Sequence, residues 1–458
     1  MESSNVFVRW RPLPPTQLNT PEINPVHEKH RGSRVSISIS TSPPSPANRA
    51  WKSGPVFTQV FEPTDGNKAV FNTVVAPILP QVLNGDSCSF FAYGHSGSGK
   101  SHTILGYDFE EPEDFGLCLA AARYLGEELK DSNNASHGGS ASLELGIGLR
   151  MYELRGNTAF DLLNNHCKCY IRQGYDGQTH IRGETEVLDG GRVRVRPIVT
   201  KGCWSFDDFR RGVLRGLELR ASGRSTVHDE SSRTHAVLEL EIVNRALLEA
   251  REAVVERESE LVPVAKRATD IYIEEQMKGF VKTDDGKFVL NPEYKIDQGR
   301  IDDAEEKKAE FEKRVRDAEE HIGHVFRSSG QICLGGKLVF VDLAGAEYYH
   351  GSSLSTHGSR PLPSPQEQKE GRQINTDLLA LKEVIRARAS KKPRIPYRSS
   401  PLTMVLRGHF EARGCKGSYS AVILTASPAA DQYAATANTL KYGNLVGMAG
   451  VEETDRTV

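Results

Sequence analysis

The segment that most constrains this 458-residue chain is Gly94-His95-Ser96-Gly97-Ser98-Gly99-Lys100-Ser101. It lies between an aromatic-rich apolar run at 89–93 and a stretch at 100–105 able to open a helix. Every fixed position of G-x-x-x-x-G-K-[ST] is filled. Glycines let successive backbone N–H groups turn inward around a phosphate without a Cβ clash, and the helix N-terminus adds a favourable field. In such a cradle Lys100 reaches the β- and γ-phosphates and Ser101 offers an oxygen to Mg2+. A strand feeding this loop must be covered on both faces, so the motif predicts an α/β sheet flanked by helices.

Composition narrows the partners. Lys+Arg is 58 against Asp+Glu 60, a formal net charge of -2, which speaks against a generally basic nucleic-acid coat. No run approaches 18 apolar residues, and the N-terminus carries no apolar leader-type segment, so no membrane is expected. The 7 cysteines include no C-x-x-C pair, and Cys167 and Cys169 have no partner pair, so the reading is free thiols in a reducing, cytoplasmic compartment without zinc.

Along the chain, 5–10 (NVFVRW), 143–154, 235–243, 338–343 and 419–426 read as strands. Helical spacing marks 67–83, 115–130, 205–221, 372–388, 401–409 and 431–445, with a short helix at 158–164 and broken strands over 167–203. Residues 13–55, rich in Pro and Ser, read as a surface loop excursion, although the alternation at 35–39 also suits a hairpin strand. Residues 244–332 form a charged, partly helical insertion; within it 301–320 is a surface helix of about 30 Å and 283–292 a hairpin or extended segment. A polar loop spans 348–369.

A phosphate cradle needs a carboxylate for magnesium at the end of a second strand. LVFVDLAGAE supplies Asp342, and Gly345 follows with a backbone N–H able to sense a γ-phosphate. DESSRTHAV offers the hydroxyls of Ser231 and Ser232 beside Arg233, suited to closing over that phosphate. No side chain is an obvious general base, as expected where positioning and charge stabilisation carry phosphoryl transfer.

These residues, taken in order, resemble the kinesin motor domain over nearly the whole chain. VRWRP (8–12) resembles the adenine-holding strand and turn, FAYGHSGSGKSHT (91–103) the phosphate loop, and HDESSRTH (228–235) switch I. DLAGAE (342–347) resembles switch II, INTDLLALKEVI (374–385) the helix after it, IPYRSSPLT (395–403) the track-binding loop, and TANTLKYG (436–443) the last helix. The resemblance implies one motor domain over 1–458, with a mostly parallel eight-stranded sheet, three helices on each face, and the 348–369 loop as an extended switch II loop. It implies an Mg2+-dependent ATPase stimulated by microtubules, associated with the cytoskeleton.

By the same resemblance Arg9, Arg11, Pro12 and His102 flank the nucleotide, and Gly94, His95, Ser96, Gly97, Ser98 and Gly99 wrap it with Lys100 and Ser101. Ser101, Ser232 and Asp342 attend magnesium. Ser231 and Gly345 meet the γ-phosphate, and Arg233 and Glu347 form the salt bridge that closes the switches.

The departures fall mostly on the track side. The family's Asp and Lys in the loop before the helix are Ser399 and Pro401, and a basic position is Met404. Lys391, Lys392, Arg394 and Arg398 remain as a partial basic contact or a solvated face. Tubulin's surface is acidic, so binding to microtubules is expected to be weakened. Near the nucleotide, His228 replaces the usual Asn, His95 and Ser96 the usual Gln and Thr, and Ala346 the usual Ser. The insertion reads as a docking surface, a regulatory arm or a tolerated excursion. Two functions follow from this reading, a microtubule-coupled ATPase or a divergent nucleotide-binding module with weak or lost motility.

Overall fold

A computed structural model describes residues 5–13, 22–30, 33–42, 48–135, 143–174, 177–222, 233–282, 287–291, 293–346, 365–410 and 419–451. The first part of the chain gives β1 (Asn5–Trp10), β2 (Glu22–Lys29), β3 (Val35–Ser42), β4 (Trp51–Lys52), β5 (Gln59–Phe61), α1 (Asn67–Val74), α2 (Leu79–Leu83) and β6 (Ser87–Tyr93). Next come α3 (Lys100–Ile104), α4 (Leu117–Ala135), β7 (Leu145–Arg155), β8 (Thr158–Asp161), β9 (Cys167–Gln173), β10 (Thr179–Val187), β11 (Val193–Pro197), β12 (Lys201–Cys203), α5 (Phe206–Ser222) and β13 (His235–Asn244). The chain continues through α6 (Arg245–Lys278), β14 (Phe280–Lys282), β15 (Phe288–Leu290), α7 (Gln298–Ser328), β16 (Lys337–Asp342), α8 (Pro365–Ala389), α9 (Pro401–Phe410), β17 (Tyr419–Ala426) and α10 (Tyr433–Val451).

The central sheet runs β11-β10-β9-β8-β7-β13-β16-β6-β17-β1-β5, with β12 on β7, twelve strands in all. It is larger than eight strands and mixed rather than mostly parallel. Parallel pairing holds from β16 through β6, β17 and β1 to β5. From β16 outward through β13 and β7 to β11 every pairing is antiparallel. Between β7 and β11 the reason is local: short turns fold the chain back on itself, and antiparallel neighbours need no crossover helix. The segment 158–164 illustrates it. Gly156, at φ +56°, turns the chain so that Thr158–Asp161 pairs back on β7 as a strand, not a short helix.

Two apolar clusters sandwich the sheet. On one face Val70, Val82, Leu125, Phe209 and Val213 from α1, α2, α4 and α5 pack on Phe90, Leu238 and Phe340. On the other, Leu381 of α8, Leu406 of α9 and Leu440 of α10 pack on Phe91, Val237 and Val341. Helix α8 shows why it docks: Ile374, Leu378, Leu381 and Ile385 repeat at helical spacing and are all buried. Its start at Pro365 means the last five residues of the 348–369 loop are helical, while 347–364 lie outside the described residues.

Within the 13–55 surface loop excursion, the described residues include three strands rather than loop alone. β2, β3 and β4 make a separate three-stranded sheet. Ile23, Val35, Ile37 and Ile39 join the second core cluster, so alternation outweighed the Pro- and Ser-rich composition. The insertion is more regular than a partly helical segment. α6 and α7 form an antiparallel hairpin, α6 capped by the Asn244 side chain and α7 by Asp297. A two-stranded ribbon, β14–β15, stands at its end. Among the described residues no helix is long and apolar enough to cross a membrane.

Candidate active site

Strands β6, β16, β17 and β1 are mutually parallel, so their carboxyl ends share one edge of the sheet, the place where open α/β sheets bind ligands. β6 ends there in the glycine loop, and β16 ends there in Asp342. β13 runs the other way and begins there at His235, bringing Arg233 to the same edge.

The loop is built around backbone space. Gly97 and Gly99 adopt φ of +73° and +103°, conformations that suit glycine. A Cβ on Gly94 would lie 2.4 Å from Ser98 Oγ and 2.5 Å from Thr425 O. Ser98 Oγ in turn shares a 2.6 Å hydrogen bond with Thr425 Oγ1, tying the loop to β17. Lys100 is buried and its Nζ donates to the His95 carbonyl at 2.8 Å, folding its ammonium back over the loop. Burial holds His95 down to about 4, so its ring is neutral at ordinary pH. Ser96 and Gly97 are exposed at the loop's crest.

Ser101 Oγ donates to Asp342 Oδ2 at 2.7 Å, joining residues 241 positions apart. Asp342 Oδ1 is buried, with no hydrogen-bond partner among the described residues. A buried carboxylate oxygen left unsatisfied beside a serine hydroxyl fits a hard, oxygen-seeking cation such as Mg2+. The loop after Asp342 lies directly on the phosphate loop. Ala346 N–H donates to Gly94 O at 3.2 Å, and a Cβ on Gly345 would sit 2.9 Å from Ser96 N. Only a residue without a side chain permits that approach.

Two buried residues that sequence reasoning missed support Asp342. Arg220, at the end of α5, lies 3.4 Å from Asp342 Oδ2 and 3.6 Å from Glu153 Oε2. Glu153 on β7 also accepts from Thr234 Oγ1 at 2.9 Å and faces His166 Nε2 at 2.8 Å. The signal available was a charged residue at a core-facing position of a strand, Glu153 in LRMYEL. His235, another, accepts the Ala344 N–H at Nδ1 (3.0 Å) and turns Nε2 toward Asp377 of α8 at 3.8 Å.

The adenine-side residues are partly structural. Arg9 is buried and donates to Asn67 Oδ1 (2.6 Å), Thr103 Oγ1 (2.9 Å) and Asp65 O (3.3 Å), and burial lowers it to about 10. Asn67 donates to His102 O, so Arg9, Asn67 and α3 form one strut. Arg11 is half-buried, with its Cβ 3.9 Å from where a Gly99 Cβ would be, and Pro12 is exposed. The His102 ring lies 5.2 Å from that of Tyr107. Arg233 lines a cavity of about 710 Å³ with Arg155, His235, Glu370 and Asp377. Ser231, Ser232, His228 and Glu347 lie outside the described residues. Lys391, Lys392, Arg394 and Arg398 are all exposed on the connection from α8 to α9.

Comparison with known proteins agrees with this architecture. The kinesin motor domain family matches residues 9–265 and 312–448, leaving out only the outer part of the α6–α7 hairpin between them. A rice (Oryza sativa subsp. japonica) kinesin-like protein, KIN-13A, is 27% identical over 392 residues. That match covers 85% of this chain and 34% of the relative, so the chain spans about a third of its length. Two solved structures share the fold. One, of a fast kinesin studied for its ATPase mechanism and interactions with microtubules, has a TM-score of 0.56 at 19% identity, covering 97% of this chain and 91% of its own. The other, a set of mutants probing activation of the kinesin motor ATPase, has a TM-score of 0.57 at 18% identity, covering 97% and 98%. By the extent of the family match and the geometry of its phosphate loop, this chain belongs to the kinesin motor domain family.

Proposed function

We propose that this chain hydrolyses ATP to ADP and phosphate with Mg2+ and couples hydrolysis to microtubule binding. The observation that carries the reading is the 2.7 Å contact between Ser101 and Asp342, made beside Lys100 and under Gly345 at one edge of the sheet. The loop from Gly94 to Gly99 offers its N–H groups to a β-phosphate. Lys100 exchanges the His95 carbonyl for phosphate oxygens. Ser101, Asp342 and, from switch I, Ser232 would hold Mg2+, which neutralises charge on the β- and γ-phosphate oxygens when bound. Gly345, pressed on Ser96, would offer its N–H to the γ-phosphate, and Ser231 would meet the same group. Arg233 with Glu347 forms the latch that excludes bulk water and orients the attacking one. Arg9, Arg11, Pro12 and His102 border the adenine.

The exposed Lys391, Lys392, Arg394 and Arg398 supply a basic contact for the acidic tubulin surface, in keeping with a cytoskeletal location. Ser399, Pro401 and Met404, where the family carries charge, favour a second reading: a nucleotide-gated interaction module that binds the track weakly or not at all. The ATPase rate with and without polymerised microtubules, at low and moderate salt, separates them. Strong stimulation that fades with salt supports the motor; no stimulation and no cosedimentation supports the module. Lys100→Ala abolishes tight ATP binding under both readings, and Glu347→Ala binds ATP without hydrolysing it.

A further inference from the structure

The outer part of the α6–α7 hairpin, the part the family does not share, ends in an exposed apolar face. On α6, Ile273 and Met277 stand one turn apart, and Phe280 opens β14 directly after the Gly279 cap of that helix. Phe280 is paired across the ribbon with Leu290, and Lys282 with Phe288, so Phe280, Phe288 and Leu290 share one ribbon face. The five residues are 51%, 58%, 43%, 63% and 75% exposed, in chain order. With roughly 200 Å² for a large apolar residue, they present on the order of 600 Å², the top of the range for a monomer's largest apolar patch.

The platform beneath this face is firmly built. Glu275, only 1% exposed, accepts from Lys278 at 2.8 Å, Arg300 at 2.5 Å and the Tyr294 hydroxyl, and faces Asp297 N–H at 3.3 Å. Asn291 N–H closes the ribbon's base on Gly279 O at 2.8 Å. Neither strand of the ribbon pairs with a third among the described residues, and a lone two-stranded ribbon is marginal in water without a further strand or a packed face.

We propose that this face is a homodimerisation surface, occupied by the same face of a second copy of the chain. Two features choose that occupant. Two patches of this size bury on the order of 1,200 Å² together, the lower bound of a specific interface. An apolar face flanked by a free ribbon edge is also complementary to itself about a two-fold axis, as an isologous contact requires. A lipid surface fits less well, because the sequence between the two strands, Thr283-Asp284-Asp285-Gly286, is polar with two acidic residues, whereas segments that bind membranes are apolar or basic.

The test is sedimentation equilibrium of the 458-residue chain from about 1 to 100 μM, with a Phe288→Glu/Leu290→Glu variant alongside. Both positions are largely exposed, so the variant folds, and circular dichroism with ATP binding checks this. The expected result is a concentration-dependent dimer whose dissociation constant rises at least tenfold in the variant, with nucleotide affinity unchanged. A second variant, Leu290→Cys, forms an intermolecular disulfide under mild oxidation if the faces meet. A wild-type chain monomeric throughout, or a dimer untouched by the double substitution, overturns the proposal. So does a monomer whose pelleting with anionic vesicles or microtubules is lost in the variant, which gives the face to that partner instead. Lys100→Ala loses ATP binding yet still dimerises, keeping this surface separable from the nucleotide reading.

Discussion

Replacing Arg220 by Ala tests how the Asp342 carboxylate is held in the absence of nucleotide. Arg220 is 5% exposed, Asp342 1% and Glu153 4%, so three charges share one buried pocket. The guanidinium is the cation between the two carboxylates, at 3.4 Å from one and 3.6 Å from the other. After truncation Glu153 keeps Thr234 and His166, but Asp342 keeps only the Ser101 hydroxyl among its described partners. Removing one member of a buried ion pair costs about 3–5 kcal/mol because a charge is left uncompensated. The Thr234 and His166 contacts relieve Glu153, so the expectation is the lower end, about 3 kcal/mol. Urea unfolding of the nucleotide-free protein reads this directly as a fall in midpoint at constant slope. Under the proposed function Mg2+ with ATP would supply a cation beside Asp342 in place of the lost one, and the deficit shrinks. A nucleotide-free loss under about 1 kcal/mol, or a deficit indifferent to Mg2+ and ATP, refutes the charge-balance reasoning.

Gly345→Ala forces a Cβ to within 2.9 Å of Ser96 N. The switch II loop must lift, and turnover should drop roughly tenfold, about 1.4 kcal/mol in barrier, with little change in ATP affinity. Thr425→Val strands the Ser98 hydroxyl in a buried site and should cost about 1–3 kcal/mol in denaturant unfolding. His95 titrates near 4 when folded against 6.5 when free. Its unfolded form takes the proton first, so stability is lost as pH falls from 6.5 to about 4, by about 3 kcal/mol; His95→Gln should flatten that part of the stability–pH curve. Asp377→Leu removes the carboxylate facing His235 and should lower turnover with nucleotide affinity kept, while Asp377→Asn, which retains an acceptor, restores most of it.

Much of the site was legible because the phosphate loop is a local pattern whose spacing encodes its backbone geometry. The run 338–343 likewise announced β16 and hence Asp342. Glu153 stood out only as a charge within the apolar run of β7, and Arg220 lies in an ordinary amphipathic helix; only the tertiary meeting of α5, β7 and β16 gives them a common purpose. The sheet's antiparallel half was hidden for a similar reason. Thr158–Asp161 is too short for its period to declare itself, and the turn at Gly156, not propensity, makes it a strand. At 22–52 the alternation of Ile23 and of Val35, Ile37 and Ile39 carried the truth, while the Pro-rich flanks pointed toward a loop. α6 runs on through Pro263, a residue that ordinarily breaks or kinks a helix.

Equilibrium binding of a fluorescent ATP analogue, titrated with and without Mg2+ to the wild-type chain and to Asp342→Asn, bears most directly on a shared site for Lys100, Ser101 and Asp342. Tight wild-type binding that depends on Mg2+, with the dependence largely gone in Asp342→Asn, is the outcome this geometry requires. Binding of equal strength in both proteins and indifferent to Mg2+ would contradict it.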